Sequence, residues 1–180
     1  TMGALSDMVK QGKTLYVGIS KYPTEKAKEA YRILKENGTP CLINQDRYSI
    51  LSRDIEKTVL PLAAENGVGF IGFSPLAQGL LSDKYLHGIP EKSRTSNSYG
   101  FLQKSQIRED LIVKISKLND IAIQRGQTLA QMALAWCFQK ETVNSVIVGT
   151  SSVQQLQDNI NALKNTNFSY DENWKIGELL

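Results

Sequence analysis

The feature that most constrains the fold of this chain is a regular alternation of short strand-like segments with longer helix-like segments. The strand-like segments are apolar and rich in β-branched and aromatic residues, and we expect strands near residues 14–19, 41–45, 68–73 and 145–149. Strands that alternate with amphipathic helices predict parallel βα units. The fold class is therefore α/β, with both faces of the sheet expected to be covered.

Apolar faces and capping residues predict where the helices lie. The pairs Thr128/Gln131 and Ser152/Gln155 have the spacing of capping boxes. A last helix is expected in the final eleven residues, which contain Trp174, Ile176 and Leu179. The buried faces predicted for the other helices are, in chain order, Ala27, Ala30, Tyr31 and Leu34; Ile55, Val59, Leu62 and Ala63; Ile107, Leu111, Ile115, Leu118 and Ala122; Leu129, Met132, Ala133 and Trp136; and Leu156, Ile160 and Leu163.

Two arrangements of βα units fit this pattern, a doubly wound sheet and part of a (β/α)8 barrel. A complete barrel needs roughly 250 residues, whereas the chain has 180. Its first residues read as the middle of a helix, and its last residues end as abruptly. We therefore expect half of a barrel, a single partial domain over residues 1–180 that is incomplete on its own. The exposed edges of its first and last strands would favour self-association.

Composition narrows the function classes. Hydrophobic residues make up 41% of the chain and charged residues 22%, as in ordinary globular domains. The formal net charge is only +3, and basic residues form no run, so no nucleic-acid partner is expected. No apolar stretch approaches the length of about 18 residues that spans a membrane, and no secretory signal is recognisable. We expect a cytoplasmic protein with inert, buried thiols at Cys41 and Cys137.

Three local patterns are candidate sites. Residues 67–72 match G-x-G-x-x-G but lie inside a predicted strand, whereas a dinucleotide fingerprint opens a helix. Residues 148–152 join a strand end to a capped helix, which fits either an anion site or an ordinary helix cap. The long loop over 80–104 contains Lys84, Arg94 and the single histidine, His87, which has no partner at metal-ligand spacing. No metal site is expected.

A series of motifs then follows in order along the chain: Val-Gly-Ile-Ser at 17–20, Ile-Asn-Gln at 43–45, Phe-Ser-Pro-Leu-Ala-Gln-Gly at 73–79, Lys-Tyr at 84–85, Gly-Ile-Pro at 88–90 with Ser-Arg at 93–94, and Gly-Thr-Ser at 149–151 with Gln155, Asp158 and Asn159. Together they resemble the aldo-keto reductases. The resemblance is strongest to the subgroup with bacterial glyceraldehyde-phosphate reductase-like enzymes and potassium-channel β subunits. It covers strands five to eight of the family's barrel.

The resemblance implies a binding site for NADP(H). Ser20 and Gln45 would hydrogen-bond the nicotinamide carboxamide, and Phe73 would stack on its ring. Lys21, beside Ser20, stands where members of the family vary. The pyrophosphate would be bound by Ser74, Leu76, Gln78 and Gly79, with Lys84 and Arg94 from the long loop. The adenosine half would be bound by Gly149, Ser151 and Gln155 at its 2′-phosphate and by Asp158, in place of the commoner Glu, and Asn159 at the adenine.

The resemblance also implies what this chain lacks. The family's catalytic Asp, Tyr, Lys and His or Asn lie on its first four strands, so no catalytic residue is assigned to this chain. The implied function is NADPH-dependent reduction of an aldehyde or ketone to an alcohol by the full-length protein, with the isolated chain inactive. Two alternatives remain open: a cofactor-binding regulatory subunit like the channel β subunits, or an inactive truncated remnant.

Overall fold

The structure of the chain, a computed structural model, describes residues 1–86 and 108–180. In this part of the chain, strands pair in parallel in the order β1-β2-β3-β4. These strands are Val17–Ser20, Cys41–Arg47, Gly69–Phe73 and Val143–Ile147. The helices α1 to α7 are Met2–Lys10, Thr24–Glu36, Val59–Glu65, Glu109–Gln124, Leu129–Cys137, Val153–Asn161 and Tyr170–Glu178. Short 3-10 turns occupy Asp54–Lys57, Ala77–Gly79, Asp83–Tyr85 and Ala162–Lys164.

The strand order decides between the two predicted arrangements. Every strand after β1 pairs with the strand that precedes it, so the order never reverses, whereas a doubly wound sheet contains a reversal. Since such crossovers are right-handed, the connecting helices lie on one face of the sheet. Burial along β1 agrees, because Val17 and Ile19 are buried while Gly18 and Ser20 are exposed. The expectation that both faces are covered is therefore wrong for the described residues.

Two clusters of buried side chains hold the helices against the sheet. The larger cluster joins β3, β4 and the segment after β2 to α4 and α5 and includes Leu118 and Met132. At its centre the Tyr48 ring lies 6.2 Å from Phe70 and 5.4 Å from Trp136, measured between ring centroids. The smaller cluster packs α1 and α2 against β1 and the start of β2. Apolar packing of the helices therefore supports the sheet from β1 to β4.

Several local predictions are confirmed. The predicted faces of α2 and α5 are buried. Thr128 and Gln131 form a reciprocal capping box at the start of α5, and the last helix buries Ile176. Both cysteines are buried, and burial raises the pKa of the Cys137 thiol to about 12.

Other local predictions are wrong. The first strand begins at Val17, and the two residues before it, Leu15 and Tyr16, are exposed. The last strand lies two residues earlier than expected. Ile55 belongs to a separate 3-10 turn rather than to α3. The apolar stripe of α6 and the turn after it, Leu156, Ile160 and Leu163, is exposed instead of buried. Periodicity predicts an apolar stripe, but whether a neighbour covers it depends on the packing.

The last four residues of the G-x-G-x-x-G pattern lie inside β3, and Gly69 has a structural explanation there. A Cβ at Gly69 would lie 2.6 Å from Oδ1 of Asn144. That oxygen accepts a hydrogen bond of 2.9 Å from the backbone N–H of Phe70. The glycine therefore leaves room for a side chain of the next strand to hydrogen-bond the backbone of β3.

Residues 1–86 and 108–180 contain neither a candidate membrane-spanning helix nor a candidate metal-binding cluster. In these ranges no helix combines the length and apolar character needed to cross a bilayer. The same residues contain no group of three or more His, Cys, Asp or Glu side chains arranged to hold a metal ion.

The larger cluster can be tested by truncating one side chain. Met132 is fully buried on α5, so Met132→Ala should lower the free energy of unfolding by about 2–5 kcal/mol. Ile123→Ala on α4 removes a side chain that is 64% exposed and should change stability by less than about 0.5 kcal/mol. Urea denaturation of both variants measures the difference. Equal effects would contradict the assignment of Met132 to the core.

Candidate functional site

Backbone strain in the described residues is concentrated at one edge of the sheet. The non-glycine residues with positive φ are Lys21, Ser74, Ala77 and Gln78, at 58°, 54°, 46° and 60°. Lys21 follows β1 directly, and the other three follow β3 within five residues. This conformation costs about 1–3 kcal/mol for a residue with a side chain, and such strain clusters at ligand-binding loops. The carboxyl edge of the sheet is therefore the candidate site.

Two polar side chains predicted at this edge are neighbours across the β1–β2 pairing. Ser20 is in register with Gln45. The backbone N–H of Lys21 donates to the Gln45 carbonyl oxygen at 3.0 Å, which extends the pairing past the end of β1. Ser20 is exposed and Gln45 is half-buried. A hydroxyl and a carboxamide are thus presented side by side.

Phe73 ends β3 and is half-buried at the same edge. The register places it between Arg47 on β2 and Ile147 on β4. The Lys21 Nζ lies 5.9 Å from the centroid of the Phe73 ring, within the range of a cation–π contact. The side chain of Lys21 therefore reaches from the end of β1 to the end of β3.

The segment after Phe73 folds into a tight turn. The N–H of Ala77 donates to the Ser74 carbonyl at 2.9 Å, and the N–H of Gly79 donates to the Leu76 carbonyl at 2.8 Å. Gly79 also has a positive φ, 98°. Leu80 and Leu81, at the start of the predicted long loop, are buried in the larger cluster. The turn is thus held between a strand and the core.

A second group of predicted site residues lies between β4 and α6. The Oε1 atom of Gln155 accepts hydrogen bonds from the N–H of Ser151 at 2.9 Å and from its hydroxyl at 3.0 Å. Ser152 caps α6 by accepting from the Gln155 N–H at 3.2 Å. Only half of the predicted capping box forms, because the Gln155 side chain hydrogen-bonds Ser151 and not the backbone N–H of Ser152. One turn along α6, Asp158 accepts from the Gln154 amide at 3.0 Å.

The structure brings the predicted residues into two groups. Ser20 and Phe73 end β1 and β3, Gln45 lies two residues before the end of β2, and Ser151 contacts Gln155. No hydrogen bond between residues that the structure describes joins one group to the other. Of the remaining predicted residues, Ser74, Leu76, Gln78 and Gly79 lie on or beside the turn after β3. Lys84 is exposed on the Asp83–Tyr85 turn. Gly149 lies before α6, and Asn159 lies within it. Arg94 and His87 lie outside the described residues.

A cleft of about 970 Å³ adjoins the Ser74–Gln78 turn, and sequence reasoning missed it. Ser49 and Leu180 line it although they are distant in the chain, so no sequence spacing could have linked them. The Oγ of Ser49 is buried and has no hydrogen-bond partner among the described residues. The charged lining residues are Arg47, Arg53, Lys57 and Lys114, with Asp54 and Glu56.

A partly buried network supports one wall of this cleft. The Tyr48 hydroxyl donates to Glu56 at 2.9 Å, and Nη2 of Arg53 donates to the other Glu56 oxygen at 2.9 Å. The Arg53 guanidinium lies 5.1 Å from the centroid of the Trp136 ring. Burial, together with the hydrogen bond to Glu56, raises the pKa of Tyr48 well above its ordinary value. Tyr48 is therefore a neutral structural donor.

Comparison with known proteins fits this geometry. The model described as the aldo/keto reductase family matches residues 1–180. This chain belongs to the aldo-keto reductase family. Members of the family are oxidoreductases that use NAD(P)H.

Curated relatives of this aldo-keto reductase chain include two bacterial enzymes. The chain is 45% identical over 176 residues to the L-glyceraldehyde 3-phosphate reductase of Escherichia coli O157:H7. It is 43% identical over 176 residues to the enzyme of the same name from Escherichia coli strain K12. Each alignment covers 96% of this chain and 51% of the relative. The chain thus spans about half the length of the curated relatives it matches.

Solved aldo-keto reductases share the fold. A thermostable aldo-keto reductase in complex with the inhibitor epalrestat superposes with a TM-score of 0.72 at 25% identity, over 99% of this chain and 53% of that one. The holo form of an aldo-keto reductase from Bacillus halodurans gives 0.73 at 26% identity, over 99% of this chain and 55% of that one. The α/β fold with a parallel sheet is therefore that of the family.

An arginine clamp fixes the C-terminal helix of this aldo-keto reductase chain beside the cleft. The Arg125 side chain is only 2% exposed and pairs with Glu172 at 2.8 Å. Its Nη2 donates to the carbonyl oxygens of Asn165 at 3.2 Å and Asn167 at 3.0 Å, and the guanidinium lies 3.6 Å from the Phe168 ring centroid. The clamp positions α7, whose C-terminal end lines the cleft.

The clamp predicts a pH-dependent stability. Burial alone would raise the pKa of Glu172, but hydrogen bonds from Ser169 and Arg125 outweigh it and hold the pKa below its ordinary value of 4.5. A lowered folded-state pKa stabilises the fold above the ordinary value, and this contribution is lost as pH falls through the folded pKa. Glu172→Gln should cost about 1–3 kcal/mol at pH 7 because it leaves a buried cation without its counter-ion.

The difference in unfolding free energy between wild type and Glu172→Gln should shrink as pH falls below 4.5. Wild-type Glu172 then becomes protonated and is neutral, like the glutamine of the variant. Glu178→Gln, which changes an exposed carboxylate on the same helix, is the matched control and should show neither effect. Chemical denaturation at a series of pH values measures all three proteins. A stability difference independent of pH would contradict the ion-pair assignment.

Proposed function

We propose that this chain is the C-terminal, cofactor-binding half of an NADPH-dependent aldo-keto reductase that reduces an aldehyde or ketone to an alcohol. The observation that carries the proposal is the concentration of strained, non-glycine backbone after β1 and β3. In barrels of parallel strands the active site lies at this carboxyl edge. The same edge holds the residues that the family resemblance assigns to the nicotinamide and the pyrophosphate.

The residues at the strand ends fit a nicotinamide. The adjacent Ser20 hydroxyl and Gln45 carboxamide offer both donors and acceptors, which match the oxygen and the amino group of the cofactor's own carboxamide. Phe73 offers an aromatic surface on which a flat ring can stack. When bound, NADPH supplies the hydride for carbonyl reduction, and these three residues would bind and orient its ring.

The turn after β3 fits a pyrophosphate. Left-handed residues next to right-handed ones form concave backbone arrangements whose N–H groups attract anions. Ser74, Ala77, Gln78 and Gly79 supply this conformation, and Lys84 follows on the next turn with an exposed ammonium. We assign Arg94 to the same group from the resemblance, in the predicted loop over the cofactor.

The start of α6 fits the 2′-phosphate that distinguishes NADPH from NADH. The N-terminus of a helix attracts anions through its free N–H groups and its dipole. Ser151 and Gln155 already contact each other at this terminus, and Gly149 leaves the approach open. Asp158 and Asn159, one turn further along α6, would bind the adenine.

The rest of the barrel would pack on surfaces that are open in this chain. Within the described residues, β1 and β4 each pair on one side only, and the α6 stripe of Leu156 and Ile160 is exposed. The relatives are about twice as long as the chain. We infer that the other half of the barrel covers these surfaces and carries the proton donor. In the isolated chain the same edges would pair with a second copy.

The substrate proposal rests on the relatives. Two of them are named L-glyceraldehyde 3-phosphate reductases, so a short phosphorylated aldehyde is the first substrate to test. The experiment follows NADPH oxidation by absorbance in the full-length protein that contains this chain. Turnover of the aldehyde that depends on the enzyme supports the proposal, and its absence with all short aldehydes and ketones would overturn it.

Cofactor preference is tested at Gln155. Hydrogen bonds to a charged group contribute about 1.5–3 kcal/mol, so Gln155→Ala in the full-length protein should weaken NADPH binding at least tenfold and barely affect NADH. Gln157→Ala replaces the same residue type on the exposed side of the same helix and is the control. Fluorescence titration of wild type and both variants measures their affinities for NADPH and NADH. Equal losses for NADPH and NADH would show that Gln155 does not contact the 2′-phosphate.

The isolated 180-residue chain should not oxidise NADPH with glyceraldehyde as the substrate. Hydride transfer to a carbonyl needs a positioned proton donor, worth about 10²–10⁴-fold in rate. Tyr48, which directly follows β2, is buried and donates to Glu56 instead. The assay compares the purified chain, its mass verified, with the full-length protein. Robust turnover by the isolated chain would mean that one of its own side chains supplies the proton.

A further inference from the structure

We propose that Lys21 makes the nicotinamide pocket discriminate between the two redox states of the cofactor, weakening the binding of NADP⁺ relative to NADPH. This inference rests on the proposed function, because it assumes that the nicotinamide stacks on Phe73. It assigns a specificity role to Lys21, which follows Ser20 but is not itself one of the two residues predicted to bind the carboxamide.

The backbone of Lys21 is held in a conformation that its residue type does not favour. Its φ is 58°, where glycine or asparagine is accommodated at lower cost than lysine. The hydrogen bond from its N–H to the Gln45 carbonyl, at 3.0 Å, fixes this conformation at the end of β1. The direction in which the side chain leaves the backbone is therefore imposed by the β1–β2 pairing.

The side chain of Lys21 reaches across the end of β2 to the ring at the end of β3. Its Nζ lies 5.9 Å from the Phe73 centroid. Lys21 takes part in none of the salt bridges formed by residues 1–86 and 108–180. Its positive charge thus acts on whatever occupies the surface beside Phe73.

The two forms of the cofactor differ in charge at that surface. The oxidised nicotinamide ring is a cation, whereas the reduced ring is neutral. A ring stacked on Phe73 would lie beside the Lys21 ammonium, so the oxidised form meets a like charge and the reduced form does not. Two unit charges about 6 Å apart in a largely aqueous surrounding change a binding constant about threefold, and partial burial raises this to about tenfold. The repulsion therefore favours NADP⁺ release and the selection of NADPH over NADP⁺.

Lys21 could instead attract the cofactor's phosphates, which carry the same charge in both redox states. Its removal would then weaken NADPH and NADP⁺ binding by the same factor. The ratio of the two dissociation constants therefore separates the two roles, whereas either constant alone does not.

The test measures the dissociation constants of NADPH and NADP⁺ by calorimetry in the full-length protein. Lys21→Met should lower the ratio of the NADP⁺ constant to the NADPH constant about threefold to tenfold. Lys21→Glu should lower the ratio further, because it turns repulsion of the oxidised ring into attraction. Lys21→Arg should preserve the ratio. Lys28→Met, which removes an exposed lysine of α2, should leave both constants unchanged.

Titration with 2′,5′-ADP, which lacks the nicotinamide, distinguishes failure of the Lys21 inference from failure of the proposed function. Every Lys21 variant should bind it as wild type does, which also shows that the variants are folded. An unchanged ratio in Lys21→Met and Lys21→Glu, or equal weakening of both cofactors, would overturn the role of Lys21 while leaving the proposed function in place. Failure of wild type to bind NADPH, NADP⁺ and 2′,5′-ADP would overturn both.

Discussion

Sequential parallel pairing of the strands is the constraint on which the rest of this structure depends. Because each strand runs in the same direction as its predecessor, all of the carboxyl ends meet at one edge of the sheet. Ser20, Gln45 and Phe73 are separated by more than twenty residues in sequence at each step, yet the register places each within two residues of the end of its strand. The pairing geometry alone thus gathers small, polar and aromatic side chains that have no local reason to be near each other.

The strained backbone at this edge persists because it is held from both sides. The N–H of Tyr48 donates to the Phe73 carbonyl at 3.2 Å, so the end of β3 is tied to the segment after β2. Beyond the turn, Leu80 and Leu81 are buried in the larger cluster. Left-handed residues between two such anchors cannot relax without opening the core. A preformed loop of this kind is well suited to a cofactor whose phosphates need several N–H groups in fixed positions.

Polar networks stabilise the second layer around the site. Glu56 accepts from both Tyr48 and Arg53, and Arg125 joins the turn before α5 to the segment before α7. Each network contains a buried or half-buried charge that is satisfied by several partners, which is the condition under which such charges are tolerated. These networks connect loops that no regular secondary structure joins, so they set the shape of the cleft between them.

The sequence by itself determined the class of fold and most of its elements. Apolar alternation and helical periodicity are local, so they located β2, β3, α2 and α5 and the Thr128 cap. Motifs in a fixed order also indicated the family. What covers each apolar surface is not local, so the same reasoning wrongly predicted that Leu156 and Ile160 are buried. It also had no means of placing Ser49 and Leu180 in the lining of one cleft. Only the tertiary structure decided the strand order, the open face of the sheet and the contact between Lys21 and Phe73, because each depends on which segments meet in space.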